Sequence, residues 1–457
     1  MNKNVFVVSL GCPKNLVDSE VMLGIMADAG YQTCAEPEEA QVILVNTCGF
    51  VQSAVEEAVD EILRLAEVKV QQPDIRLVVT GCLVQRYGKD LMRELPEVDL
   101  FLGTENFTEI VARLEAMGKT PKPAMADLGG APPFLMTSAM PRLISTPPHR
   151  AYLKITEGCS NVCSYCMIPS IRGRLRSRTM DDVVAEACRL DRRGVKELTL
   201  IGQDLTAYGL DLVGTGGGRL TDLLDLLVRE TEIPWLRMLY LYPQRINDVL
   251  LQMLAEQERI LPYLDIPMQH VSPAVLRAMN RPSTAGALDD LMRRIRTLIP
   301  LATIRTTFIV GFPGETEDDV CLLEEFMLTH RLDHVGVFAY STEEGSAAAR
   351  LTDHCPEEVK EERLQRLMAL QAKISLAKNQ ERVGTIEPVL VEGVSGETDL
   401  LLEGRLRSQA PDIDGCVYIN AGECSAGDLV RVLITEAHPY DLVGEIVGAA
   451  GDDAQEG

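Results

Sequence analysis

Between residues 3 and 117 short apolar runs alternate with longer amphipathic ones. Val5 to Ser9, Val42 to Asn46, Leu77 to Thr80 and Asp99 to Leu102 are too short for helices and are bounded by turn residues, which predicts strands. Val17 to Ala29, Ser53 to Val68, Val84 to Leu95 and Thr108 to Met117 repeat their apolar positions at helical spacing. Strands and helices alternating in this way predict a small doubly wound parallel sheet over residues 3–118. From 119 to 148 the pattern breaks: Pro121, Pro123, Pro132, Pro133, Pro141, Pro147, Pro148 and Gly129-Gly130 predict a linker without regular structure.

The alternation resumes on a larger scale over residues 149–377. Ala151 to Thr156, Glu197 to Ile201, Leu236 to Leu239, Tyr263 to Ile266, Ile304 to Val310 and His334 to Phe338 read as strands. Helical stretches such as Met180 to Arg192, Leu220 to Arg229, Ala274 to Met279 and Thr316 to Leu328 lie between them. Six such units predict a partial α/β barrel, with its active site at the carboxyl ends of the strands. After a charged helical segment from Pro356 to Lys378, five strand-like stretches from Val389 to Val447 alternate with Gly-rich turns. They predict a small antiparallel barrel over 378–446, followed by a disordered acidic tail over 447–457.

Cysteines carry the candidate chemistry. Cys159, Cys163 and Cys166 stand at CxxxCxxC spacing directly after the first strand of the barrel. Three thiolates this close can hold three irons of a cubane and leave the fourth iron open. A structural zinc site is the alternative, but it wants four ligands and no fourth Cys or His lies nearby. Upstream, Cys12, Cys48 and Cys82 each follow a strand of the first sheet and each has a glycine neighbour. Loops at one edge of a parallel sheet can bring such thiols together around a second cluster; three unrelated core cysteines are the other reading of the spacing. The remaining six cysteines, Cys34, Cys188, Cys321, Cys355, Cys416 and Cys424, share no spacing and read as small packing or surface residues. With no secretory signal, twelve cysteines favour metal or redox chemistry over a disulfide framework.

Other candidates fall at strand ends. Gln203 and Asp204 follow the second barrel strand, Gly311 and Glu315 the fifth, and Gln269 and His270 the fourth. Glycine there permits close approach to a cofactor and the polar side chains can meet its polar groups, although strand-to-helix turns carry such residues for steric reasons too, and a histidine there is more often structural. Arg172, Arg174, Arg176 and Arg178 form a basic run that either contacts a carboxylate, phosphate or cofactor or is a solvated face. The chain as a whole is acidic, with 44 Lys and Arg against 68 Asp and Glu and a net charge of −24. Residues 378–446 alone hold 13 acidic and 5 basic residues. That balance opposes a phosphate backbone and suits a basic polypeptide partner. No apolar run approaches membrane-helix length, which gives a cytoplasmic expectation.

Taken together, Ser9-Leu10-Gly11-Cys12-Pro13-Lys14-Asn15, Asn46-Thr47-Cys48-Gly49-Phe50, Thr80-Gly81-Cys82-Leu83 and the CxxxCxxC loop resemble the radical S-adenosylmethionine methylthiotransferase family over residues 3–446. Pro267 to Ser272 and Ala410 to Gly415 look like its ribosomal-protein branch, the RimO type, rather than its transfer-RNA branch, the MiaB type. The resemblance implies a C-terminal TRAM domain, two 4Fe-4S clusters on the two cysteine groups, and S-adenosylmethionine as both radical source and methyl donor. It implies β-methylthiolation of an aspartate in ribosomal protein S-twelve, on the free protein or the small subunit, with a reductant protein and a sulfur donor as partners and no membrane. It also makes Tyr165 a candidate cofactor contact and Asp204, Gln269 and Arg305 candidate cofactor or substrate contacts, beside Gln203 and Gly311, which are cofactor candidates from their strand-end positions. A transfer-RNA adenosine methylthiotransferase and a non-catalytic iron-sulfur electron carrier are the rival functions.

Overall fold

A computed structural model describes residues 3–117, 124–125, 134–212, 218–281 and 286–449. The first sheet comprises β1 (Lys3–Ser9), β2 (Tyr31–Thr33), β3 (Val42–Thr47), β4 (Arg76–Gly81), β5 (Leu100–Leu102) and β6 (Ala124–Met125). It is parallel throughout, in the order β2-β1-β3-β4-β5-β6. Helices α1 (Pro13–Asp28), α2 (Gln52–Gln71), α3 (Cys82–Glu94) and α4 (Ile110–Met117) cover its two faces. Every residue of β3 is buried, as a strand packed on both sides requires. Two strands left no sequence signal. β2 is three residues long, too short to show a period, and β6 lies in the stretch expected to lack regular structure, where two residues free of proline pair with the edge of β5.

The central barrel has six parallel strands. β7 (Arg150–Lys154) continues through β8 (Thr156–Glu157) into the cysteine loop, then α5 (Ile168–Arg172), β9 (Arg176–Ser177) and α6 (Met180–Arg192). There follow β10 (Glu197–Ile201), α7 (Leu220–Glu230), β11 (Trp235–Met238), α8 (Asp248–Glu256), β12 (Tyr263–Asp265), α9 (Pro273–Ala278) and α10 (Ala287–Leu298). β13 (Thr303–Val310), α11 (Glu317–His330), β14 (His334–Ala339) and α12 (Glu357–Gln380) complete it. The strands run β7-β10-β11 and β12-β13-β14, and the halves meet through a parallel bridge from Leu236 to Ile260. Leu, Ile and Val from strands and outer helices form one core that includes Leu153, Leu198, Leu236, Leu264 and Ile304.

The C-terminal strands β15 (Ile386–Val394), β16 (Leu402–Leu406), β17 (Val417–Ala421), β18 (Leu429–Ala437) and β19 (Leu442–Ala449) close into a barrel in the order β15-β16-β17-β19-β18. Its pairings are antiparallel except the β17–β19 seam, which is parallel. Residues 447–449, placed in the tail by the sequence pattern, belong to β19; the rest of the tail lies outside the described residues.

This small barrel plugs the lower, amino-terminal mouth of the central one. Arg405 enters between Glu197 (2.6 Å) and Glu392, while Asp412 accepts from Arg150 (2.9 Å) and Tyr152 (2.8 Å). Asp414 accepts from Tyr263 (2.6 Å) and faces Arg305 (3.5 Å). Above, the first domain is bolted down on two sides. Arg142, in the described part of the Pro-rich stretch, joins Glu20 of α1 to Glu186 of α6, and Arg86 of α3 meets Glu343 beyond β14 at 2.8 Å. The upper ends of the barrel strands therefore face the cysteine edge of the first sheet. Among the described residues no helix is long and apolar enough to cross a membrane.

Candidate active site between two groups of cysteines

The CxxxCxxC loop leaves β8 at the upper mouth. Cys159 is pinned by its amide to Gly173 O (3.1 Å) and Cys166 by its amide to Cys163 O (3.2 Å), so the loop folds back on itself. Asn161 bonds Asp204 Oδ2 (2.8 Å), and Arg245 closes the triangle onto Asn161 (2.8 Å) and Asp204 (2.5 Å). The three thiols lie within electrostatic reach of one another. Arg281 Nη1 reaches Cys163 Sγ at 3.7 Å. Burial pushes the Cys166 thiol up to about 12, which keeps the thiol protonated until a metal takes it, since coordination deprotonates a thiol outright.

Cys12, Cys48 and Cys82, separated by up to 70 residues of sequence, come together at the carboxyl edge of the first sheet. Asn15 is the hub: its side chain donates to Leu10 O (3.2 Å) and Thr47 O (3.0 Å), and its Oδ1 lies 3.6 Å from Cys82 Sγ. Asn46 donates to Asn15 O (2.8 Å), which fixes the Cys48 loop against α1. Gly81 adopts φ +101, and a Cβ there would stand 2.4 Å from Asn46 Oδ1, so the Cys82 turn needs glycine. Burial pushes the Cys82 thiol up to about 11; at Cys12 burial acts the same way but is outweighed by the charges of Lys14 and Arg172, and the thiol is held low. Three converged thiols that can each take one iron fit a site-differentiated cubane in both groups.

One buried side chain joins the two groups. Arg172, at the end of α5, donates to Cys82 Sγ (3.4 Å), Asn15 Oδ1 (2.5 Å), Asp18 (2.9 Å) and Glu157 (3.2 Å). Lys154 pairs with the same two carboxylates, and Gln203 Nε2 donates to Glu157 (3.0 Å). Met167 and Ile171 pack on Cys82, so the helix that follows one cysteine loop is seated on the other. The solvated-face reading of the basic run is overturned. Arg172 and Arg178 are buried among carboxylates and only Arg174 is exposed. Asn15, Asp18, Lys154 and Glu157 were not singled out from the sequence. For Asp18 and Lys154 the signal was a charge in the first turns of an otherwise buried helix or inside an apolar strand; Asn15 and Glu157 carried no such signal.

The strand-end candidates divide. Tyr165 packs against Val275, Met279, Phe312 and Tyr340, beside the Cys163 thiol. Gln203 leaves Oε1 buried without a partner, and Gln269 takes φ +71, an unusual conformation for a non-glycine residue, so both retain capacity or strain at the mouth. Asp204 is occupied by Asn161 and Arg245. Glu315 is a correction: it accepts from the amides of Gly311 (2.9 Å) and Phe312 (3.3 Å) and pairs with Arg363 (2.8 Å), so it holds its own loop. Gly311 is required sterically, because a Cβ at its φ of +72 would lie 2.3 Å from Lys360 Cγ. Arg305 is third in β13, roughly 16 Å of strand below Val310 at the mouth, and pairs with Asp265 (2.9 Å) in the lower network. His270 is buried with Nδ1 accepting from the amides of Val271 and Ser272, a structural role. Of the six other cysteines, Cys188 bonds Glu230 O, Cys355 the carbonyls of Phe312 and Glu315, and Cys416 the Asp441 carboxylate. A groove of about 1030 Å³ between the barrel's outer face and the C-terminal barrel contains none of the twelve.

Comparison with known proteins follows the same three-part division. Residues 4–103 match Uncharacterized protein family UPF0004, residues 153–327 the Radical SAM superfamily and residues 383–447 the TRAM domain. The ribosomal protein uS12 methylthiotransferase RimO of Desulfotalea psychrophila is 52% identical over 96% of this chain and 98% of its own. The RimO proteins of Geotalea uraniireducens (98% of this chain, 99% of its own) and Geobacter sulfurreducens (97% and 99%) are 48% and 47% identical. The chain belongs to the RimO methylthiotransferase family. It is a radical S-adenosylmethionine enzyme, a transferase that uses that cofactor and 4Fe-4S clusters. The fold of this RimO-family chain is also that of the radical S-adenosylmethionine methyltransferase TsrM from Kitasatospora setae. With tryptophan substrate and aza-SAM bound, TsrM aligns at TM-score 0.53 and 15% identity over 74% of this chain and 73% of its own.

Proposed function

We propose that this enzyme adds a methylthio group to the β-carbon of an aspartate side chain of ribosomal protein uS12, in the cytoplasm. The observation that carries the reading is the near-full-length identity to RimO proteins, named for that substrate. The charge distribution supports a basic protein partner. Arg405 is spent inside the lower plug, and Arg382 pairs with Glu387, whereas Glu397, Asp399, Glu423, Asp428, Glu436 and Glu445 are exposed on the C-terminal barrel. The outer face is thus more acidic than composition alone suggests.

In this reading Cys159, Cys163 and Cys166 hold the cluster that supports radical formation from S-adenosylmethionine, and Cys12, Cys48 and Cys82 hold the cluster that supports sulfur delivery. The bound groups supply the homolytic and sulfur chemistry. The chain supplies the geometry: Arg172 and Glu157 set one thiol group against the other, Asp204 and Arg245 hold the first loop in shape, and Gln203, Gln269 and Tyr165 line the approach for the cofactor. A protein reductant and a sulfur donor complete the set of partners. Mass spectrometry tests the reading. Anaerobically reconstituted enzyme should add one methylthio increment to uS12 or to small subunits and none to transfer RNA; the reverse result would establish the transfer-RNA branch.

A further inference from the structure

The lysines and arginines buried in this molecule almost all face carboxylates. Lys154, Arg172, Arg178, Arg237, Lys360, Arg363 and Arg405 each do so. Among the described residues two buried cations have no carboxylate partner, Lys14 and Arg281, and they stand one beside each cysteine group. Arg281 meets Cys163 Sγ, Pro267 O (2.7 Å) and the Tyr242 ring (4.4 Å), and its Nε is buried without a hydrogen-bond partner. Lys14 has less. It is 8% exposed, two residues from Cys12, and its Nζ lies 3.5 Å from the centroid of the Tyr240 ring. Tyr240 is presented from the end of β11 in a backbone conformation that tyrosine rarely adopts, φ +66, fixed by its amide on Asp265 Oδ2 (2.9 Å) and its carbonyl on Leu205 N (3.0 Å). The strained residue of one domain thus carries, across the seam between them, a cation of the other that no carboxylate faces.

Removing an ammonium from water costs several kcal/mol unless an anion or a full set of acceptors compensates, and an aromatic face compensates only part. We propose that Lys14, seated on Tyr240, binds the side-chain carboxylate of the substrate aspartate and thereby positions its β-carbon beside the Cys12 group. The proposal rests on the aspartate reading above and deepens it. The β-carbon is bonded directly to the carboxylate carbon, so a charge-assisted bond at the carboxylate fixes the atom that must react. Lys14 is then the residue that separates aspartate from asparagine. The competing role is balancing the negative charge of a thiolate-bound cluster, which would be blind to the substrate side chain.

The test uses reconstituted full-length enzyme and fluorescent uS12 peptides carrying either the target Asp or Asn. Binding is read by anisotropy, and product by mass. Wild-type enzyme should bind the Asp peptide at least about tenfold more tightly than the Asn peptide. Lys14→Met should abolish that preference by weakening only the Asp peptide, Lys14→Arg should keep part of it, and Tyr240→Leu, which leaves the lysine in place, should reduce it. Equal weakening of both peptides by Lys14→Met, or an unchanged preference, would overturn the proposal; so would a wild type that does not distinguish them. Should Lys14→Met lose its iron, the Lys14→Arg and Tyr240→Leu results decide alone. A wild type that binds the Asp peptide with this preference but never modifies it counts against the functional reading and not against the carboxylate site.

Discussion

At the lower mouth of the central barrel Arg405 lies between two glutamates, Arg237 meets Glu197 and stacks on Tyr263, and Asp412 and Asp414 each face an arginine and a tyrosine. At the upper mouth Lys14 and Arg281 rest on aromatic rings beside thiols, Gln203 has an idle oxygen, and Tyr240 and Gln269 hold positive φ. The lower end pairs its cations with carboxylates; the upper end pairs Lys154 and Arg172 with Asp18 and Glu157 in the same way, but also holds Lys14 and Arg281, which no carboxylate faces. A buried network that is satisfied internally stiffens a fold, whereas one left incomplete is costly unless a ligand completes it. Opposite mouths of one barrel therefore serve as foundation and workplace.

The contrast is most easily broken at the cysteines. Replacing Cys12, Cys48 and Cys82 together by Ala should halve the iron of reconstituted protein, from about eight to about four per chain, and abolish methylthiolation while release of 5′-deoxyadenosine continues. Unchanged iron would remove the upper group from the metal chemistry. At the foundation, Arg405→Met leaves Glu197 and Glu392 buried without their shared cation. Thermal or urea unfolding should show a loss of about 3–5 kcal/mol with iron content unaltered. A similar loss of iron would mean that the two mouths are not independent.

The His270 loop sharpens the comparison through pH. Burial holds this imidazole down to about 4, below the roughly 6.5 of an unfolded histidine. The folded state thus binds fewer protons than the unfolded state between these values. Its stabilisation is complete above about 6.5 and is lost as pH falls toward 4, by up to about 3 kcal/mol. Denaturant midpoints should drop over that window, and His270→Gln, which keeps an acceptor for the two amides, should flatten the drop. The smallest effect belongs to the outer surface. Charge reversal of Glu397, Asp399 and Glu423 should raise KM for uS12 a few-fold at low salt, fading as ionic strength rises, with kcat unchanged.

Much of this molecule could be read from its sequence, and the unread parts have physical reasons. Strands such as Glu197–Ile201 and helices such as Met180–Arg192 were placed to the residue because period and length agreed. The CxxxCxxC group could be proposed from sequence because its cysteines are adjacent in the chain. Convergence of Cys12, Cys48 and Cys82 was left open by spacing alone, since nothing local records that three loops share an edge. What stayed hidden was partnership between distant charges. The basic run left a carboxylate contact and a solvated face equally open for Arg172, and Asp18, 154 residues away, with Glu157 decides for the first. The two-residue strand at Ala124–Met125 and the parallel seam of the last barrel also depend on a neighbour supplied by another part of the chain.

The plug in the lower mouth also orders events during biosynthesis. Glu197, Arg237, Tyr263 and Arg305 leave the ribosome well before Arg405, Arg407 and Asp414, the groups that satisfy them. Until those last segments are released, the nascent barrel carries an open, hydrated floor, and its final consolidation is postponed to the end of translation. A premature stop shortly before residue 400 would therefore do more than remove a docking module: it would leave a catalytic barrel unable to mature, and a substrate for proteolysis rather than a slow enzyme.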